Sequence, residues 1–122
     1  ILLAGYFAGG NMAELKKRAA MLLERVGLAN KKDTLPGKLS IGEQQRIAVV
    51  RAVINKPVLL LADEPTASLD AENSRIVLGL LRGLCSENGT ALILSTHDES
   101  VKEQFDEWFD IKGGRFITHE HH

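Results

Sequence analysis

Apolar residues along this chain recur at two periods, and the change from one to the other marks out its elements. Leu15, Ala19, Leu22, Leu23 and Val26 recur at helical spacing, which predicts an amphipathic helix. Asn11 with Glu14 three residues later reads as its start, and Gly27 as its stop. Before it, Ile1 to Phe7 is apolar and breaks at Gly9-Gly10. Asn30 to Lys38 is polar, contains Pro36-Gly37 and reads as a loop. A second helix is expected from about Ile41 to Asn55, ended by Pro57. Val58 to Ala62 is an uninterrupted apolar run, the mark of a strand covered on both faces.

After Asp70, Ile76, Val77, Leu80, Leu81 and Leu84 form the buried stripe of a third helix. Ala91 to Leu94 is a second short strand, ending at Ser95-Thr96-His97-Asp98, and a short helix is expected near Glu99 to Phe105. Trp108 to Ile111 and Phe116 to Thr118 flank Gly113-Gly114, the pattern of a β-hairpin with a two-residue turn. The strand–helix–strand order implies an α/β fold with a right-handed parallel crossover, which brings the C-terminal ends of both strands to one edge. Open α/β sheets place their chemistry at that edge. Asp63, Glu64 and His97 all fall there.

With 122 residues, 44% of them apolar, the chain makes one globular unit at most. Its net charge is −1 and its charged residues are mixed, which argues against a nucleic-acid surface. The single Cys85 has no internal disulfide partner and fits a reducing compartment. No apolar run approaches the roughly 20 residues of a membrane span, so contact with a membrane is expected through a partner. The chain opens at Ile1, mid-hydrophobic and without an initiator Met, as a fragment would. The tail His119-Glu120-His121-His122 reads as a polar terminus or a tag scar before it reads as a metal site.

Two stretches carry candidate chemistry. In Asp63-Glu64-Pro65, successive residues of an extended strand point to opposite sides, and Pro65 pushes Glu64 toward extended geometry. One carboxylate can then hold Mg²⁺, usually through water, while the other faces an attacking water. The plain alternative is a strand that ends in solvated acids. In Leu39-Ser40-Ile41-Gly42-Glu43, Ser40 and Glu43 form a capping box, which by itself only starts a helix. Gly42 costs helix stability in that first turn, but lets a phosphate approach the N–H groups of a helix start.

These two stretches together resemble the signature motif and the Walker B motif of the ABC ATPases. Gln44-Gln45-Arg46 and Arg51-Ala52 continue the signature helix in the family's wording, Ser68-Leu69-Asp70 matches the D-loop, and His97 matches the switch histidine. The resemblance implies an α/β fold containing part of a P-loop NTPase-like (RecA-like) core with parallel strands, part of the ABC helical subdomain and a C-terminal β-hairpin. It places the helical portion at residues 1–56 and the core portion at 57–122. No G-x-x-x-x-G-K-[ST] phosphate loop occurs in the sequence, so the chain looks like the second half of such a domain.

The roles that follow are those the resemblance implies. Asp63 holds Mg²⁺, Glu64 is the general base, and His97 donates to the γ-phosphate of ATP. Ser40 and Gly42, with Glu43 beside them, face the ATP of the opposite subunit in a head-to-tail dimer, and Asp70 lies in the loop that crosses that dimer interface. The family most often has glycine where Ile41 stands and Gln where Glu43 stands. Ile41 is expected to pack against the helical portion rather than obstruct the phosphate. The implied partners are a second ABC ATPase subunit and a transmembrane permease, on the cytoplasmic face of the membrane, with no nucleic acid.

Ala62-Asp63-Glu64-Pro65-Thr66, Thr96-His97-Asp98 and Glu24-Arg25-Val26-Gly27-Leu28 look most like the lipoprotein-release and macrolide-efflux branch, whose wording related amino-acid importers partly share. Two alternatives stay open. One is a soluble ABC-type ATPase of DNA repair or chromosome organisation, which favours Glu after the signature glycine but carries heptad arms that are missing from this sequence. The other is a folding or dimerisation unit without chemistry. Lacking a phosphate loop, the isolated chain is expected to hydrolyse no ATP, whatever the intact parent does.

Overall fold

The computed structural model describes residues 11–118 apart from Lys32, so the Ile1–Phe7 run, the Gly9-Gly10 break and the histidine tail lie outside the described residues. Helix α1 spans Met12–Arg25, and its N-cap Asn11 accepts from the N–H groups of Ala13 and Glu14 through its side chain. Leu15, Ala19 and Leu23 are buried on one face. The helix ends in a Schellman turn: Gly27 takes φ of 77°, Leu28 N–H donates to Leu23 O at 2.7 Å and Gly27 N–H to Glu24 O at 3.0 Å. A left-handed residue there favours glycine. The expected polar loop contains two short 3₁₀ turns, Ala29–Lys31 and Pro36–Lys38.

Helix α2 spans Ile41–Val53 and buries Gly42, Val49, Val50 and Val53. Strand β1, Leu59–Asp63, follows. Helix α3, Ala71–Asn88, then returns the chain to strand β2, Ala91–Ser95. The two strands are parallel, with Leu59 opposite Ala91 and Asp63 opposite Ser95. Thr90 fastens the start of this ladder, its hydroxyl donating to Pro57 O at 2.6 Å. The buried stripe of α3 comprises Val77, Leu78, Leu81, Leu84 and Cys85. It therefore lies slightly around the helix from the expected one: Ile76 is exposed, and Leu80 is only partly buried, packing toward α1 and α2.

Val49 and Val53 of α2 and Val77, Leu81 and Leu84 of α3 pack with Leu60, and Ala62, Leu92 and Leu94 flank them. All of these strand residues share one face, because alternate positions point the same way. The opposite face carries Leu59, Leu61 and Ile93, which are 48%, 71% and 60% exposed. Among the described residues cover is found on one face only: α2 and α3 lie on the same side of β1, and no described element packs on the other. Beyond β2, a 3₁₀ helix at Glu99–Gln104 leads to strands β3, Phe109–Lys112, and β4, Arg115–Thr118. They form a separate antiparallel hairpin whose turn residues Gly113 and Gly114 both have positive φ, as a type I′ turn requires. Lys102 Nζ lies 2.7 Å from Glu99 and 3.0 Å from Asp110, tying the hairpin to the preceding turn.

Candidate functional site

The parallel ladder brings Asp63 and the segment before His97 to one edge. Asp63 ends β1 directly opposite Ser95, whose hydroxyl donates to its carboxylate. Glu64 N–H donates to Ser95 O at 3.0 Å. At that point the chain leaves the strand sharply. Glu64 has φ of 48°, which overturns the expectation of extended geometry before Pro65. Ala67 N–H closes the turn on Glu64 O at 3.3 Å, and a reversal this tight leaves no room for another extended residue. A non-glycine residue in the left-handed region costs roughly 1–3 kcal/mol, which the surrounding bonds must supply. The turn carries the Glu64 side chain to His97: Glu64 Oε1 is 3.2 Å from His97 Nε2, with the imidazole almost fully exposed and the carboxylate largely covered.

An open cleft of about 900 Å³ runs along this edge, lined by Glu64, Thr66, Leu69, Arg75, His97 and Gln104 among others. Asp98 turns the chain after the histidine. Its carboxylate accepts from the Ser100 hydroxyl at 2.7 Å and from the Ser100 N–H at 2.9 Å, and those two bonds hold it below its ordinary pKa.

Ser40, Gly42 and Glu43 gather separately, at the start of α2. Ser40 Oγ accepts from Glu43 N–H at 3.1 Å, and Glu43 Oε1 accepts from Ser40 N–H at 3.0 Å, a complete capping box. The Ser40 N–H, then the Ser40 hydroxyl, keeps the Glu43 carboxyl below its ordinary pKa. Gly42 has a reason for being glycine within the fold: a Cβ there would lie 2.8 Å from Asn73 Oδ1 on α3. Asn73 itself donates its N–H to Asp70 Oδ1 at 2.8 Å, so Asp70 caps α3 beside the start of α2. Ile41 is 60% exposed, which corrects the packing expectation. As first residue of α2 it projects away from the face that packs on α1 and α3.

The contacts of three residues escaped the sequence reading, although Gln45 and Ser95 lie in stretches it names. Ser95 could have been found by aligning the ends of the two strands, since it stands level with Asp63. Asn73 and Gln45 reach across between elements, and no local pattern marks such contacts. Gln45 Nε2–H on α2 donates to Pro65 O at 2.8 Å, joining the two groups of site residues.

Comparison with known proteins decides the family. The ABC transporter family matches residues 4–67. The chain belongs to that family. It is 43% identical, over its whole length, to the lipoprotein-releasing system ATP-binding protein LolD of Shewanella denitrificans, of which it covers 52%. It is 42% identical over 94% of its length to LolD 2 of Chlorobaculum tepidum, covering 47% of that protein. The chain thus spans about half the length of these relatives. Among solved structures, cbiO1 from Clostridium perfringens, part of the ABC transporter complex cbiONQ, superposes with a TM-score of 0.82 at 32% identity, over 93% of this chain and 47% of that one. The ADP conformation of MJ1267, an ATP-binding cassette of an ABC transporter, gives 0.80 at 22% identity, over 95% and 51%, a likeness of fold. The fold is therefore that of part of an ABC ATPase cassette.

Among the described residues, no three His, Cys, Asp or Glu side chains gather as a metal cage. Mg²⁺ needs no such cage, since it keeps several waters and takes one or two carboxylates together with substrate phosphates. The Asp63 carboxylate stands exposed at the end of β1 with Ser95 as its partner. No described helix is long and apolar enough to cross a membrane.

Proposed function

We propose that this chain is the C-terminal portion of the ATP-binding subunit of a LolD-like ABC transporter, and that it supplies the subunit's hydrolysing carboxylate. The observation that carries this reading is the approach of Glu64 Oε1 to His97 Nε2, 3.2 Å apart at the edge of the parallel strands. Glu64 takes the proton of the attacking water and His97 donates to the γ-phosphate of ATP. Asp63 holds Mg²⁺, which when bound supplies charge neutralisation at the phosphates. Ser40 and Gly42, with Glu43 bracing their turn, and Asp70 meet the nucleotide site of a second subunit. Residues 1–56 serve as the helical portion and 57–122 as the core portion.

The remaining half of the relatives' length supplies the phosphate-binding loop in this reading, so the chain alone hydrolyses no ATP. A transmembrane permease holds the subunit at the cytoplasmic face, and lipoprotein release is the transport class favoured by the LolD relatives. The test is Glu64→Gln in the full-length protein. The change keeps size and removes the base, so turnover should fall by about 10²–10⁴-fold, while ATP still binds and traps a closed dimer. Near-normal turnover would assign the role to another residue.

A further inference from the structure

Three bonds hold the turn that presents Glu64. Glu64 N–H on Ser95 O fixes its entry, and Ala67 N–H on Glu64 O closes it. The third comes from a different element: Gln45 Nε2–H on Pro65 O, 2.8 Å, partly buried and spanning 20 residues of sequence. The donor sits on α2, one turn beyond Ser40 and Gly42. The acceptor is the carbonyl next to the left-handed Glu64, on a buried proline. We infer that Gln45 is a positioning residue: by holding the Pro65 carbonyl it keeps Glu64 in its left-handed backbone and its carboxylate on His97. The start of α2 and the hydrolysing carboxylate of the same subunit are then mechanically joined. An apolar side chain of equal length would fill the same space but leave the carbonyl unheld, and the turn could relax toward extended geometry.

This inference rests on the role proposed for Glu64, and its test separates the two. In the full-length protein, Gln45→Met keeps the side-chain length and removes the donor. Displacing a reacting group by about 1 Å can cost on the order of 100-fold, so kcat for ATP should fall by roughly ten- to a hundredfold. KM for ATP and ATP-dependent dimerisation should stay at wild-type values, and the Ala67 amide should exchange faster with solvent. Gln45→Glu, equally long and only an acceptor at neutral pH, should give the same pattern should the methionine variant fold poorly. Wild-type kcat in both variants, or unchanged Ala67 exchange, overturns the inference. Loss of dimerisation in step with kcat also overturns it, because Gln45 would then serve the whole interface. If Glu64→Gln abolishes turnover and Gln45→Met leaves it intact, only this inference falls. If Glu64→Gln retains turnover, the role of Glu64 falls, and Ala67 exchange still decides whether Gln45 holds the turn.

Discussion

Replacing Gly42 with alanine sets two opposing effects against each other. Alanine is favoured over glycine in a helix interior by about 0.8–1.0 kcal/mol, and less in the first turn, where the site lies. Against this stands the contact with α3: the new Cβ would meet Asn73 Oδ1 at 2.8 Å and Asn73 Cγ at 3.0 Å, where ordinary contact begins at 3.4 Å. Asn73 is half-buried and the atoms met are the end of its side chain, so its amide has to turn away from its present rotamer. A side chain forced off its rotamer costs about 0.5–1.5 kcal/mol. The net expectation for Gly42→Ala is a loss of about 0.5 kcal/mol.

In an Asn73→Ala background the clash is gone, and Gly42→Ala should become neutral or slightly stabilising. Equilibrium urea unfolding of the four proteins of this double-mutant cycle should show a coupling of about 0.5–1.5 kcal/mol. A coupling near zero, or a Gly42→Ala protein as stable as wild type, would refute the packing argument. In the full-length protein, the ATP-dependent dimerisation proposed above adds a second result for the double variant. If it is restored along with stability, the glycine serves the fold. If it stays lost, the glycine is also needed where a phosphate approaches.

Leu81→Ala, in the core between α3 and the sheet, should cost about 2–5 kcal/mol, while Leu61→Ala on the open face should change stability by less than about 0.5 kcal/mol; equal losses in denaturant would contradict the one-sided sheet. The carboxyls of Glu43 and Asp98 are both held below their ordinary values of 4.5 and 3.8, so what they add to stability is present above the unfolded values and lost as pH falls through the folded ones. Amide shifts of Ser40 and Ser100 followed by NMR should titrate with midpoints below those ordinary values, and midpoints at or above them would remove the hydrogen bonds as the cause.

The helices and strands were legible because their signals are local. Asn11, Gly27, Ser40 and Glu43 act on neighbours within a few residues, and each does in the structure what its position predicts. What the pattern misjudged depended on the other side of a contact. The apolar run at Val58–Ala62 looks the same whether one face or two are covered, and among the described residues only the placement of α2 and α3 on one side separates the cases. The α3 stripe moved to include Leu78 and Cys85 because the helix is turned to face both α2 and the sheet. Glu64 defeated the pre-proline rule because the Ser95 carbonyl, the Ala67 N–H and the Gln45 amide together outweigh a local preference. At the candidate site, the motifs and their order could be read from the sequence, but the Gln45–Pro65 bond that joins the two groups of residues could not.

The open face of the two-stranded sheet has a consequence for how the protein must be handled. Leu59, Leu61 and Ile93 lie in adjoining rows there, with Val58 exposed beside them. Wet apolar rows next to unpaired strand edges attract further strands. The chain made by itself should precipitate at concentrations where the full-length protein proposed above stays dissolved. Charged residues at Leu61 and Ile93 should rescue its solubility with little cost to its core, and would give a direct route to material for measurements on α2 and the Glu64 turn.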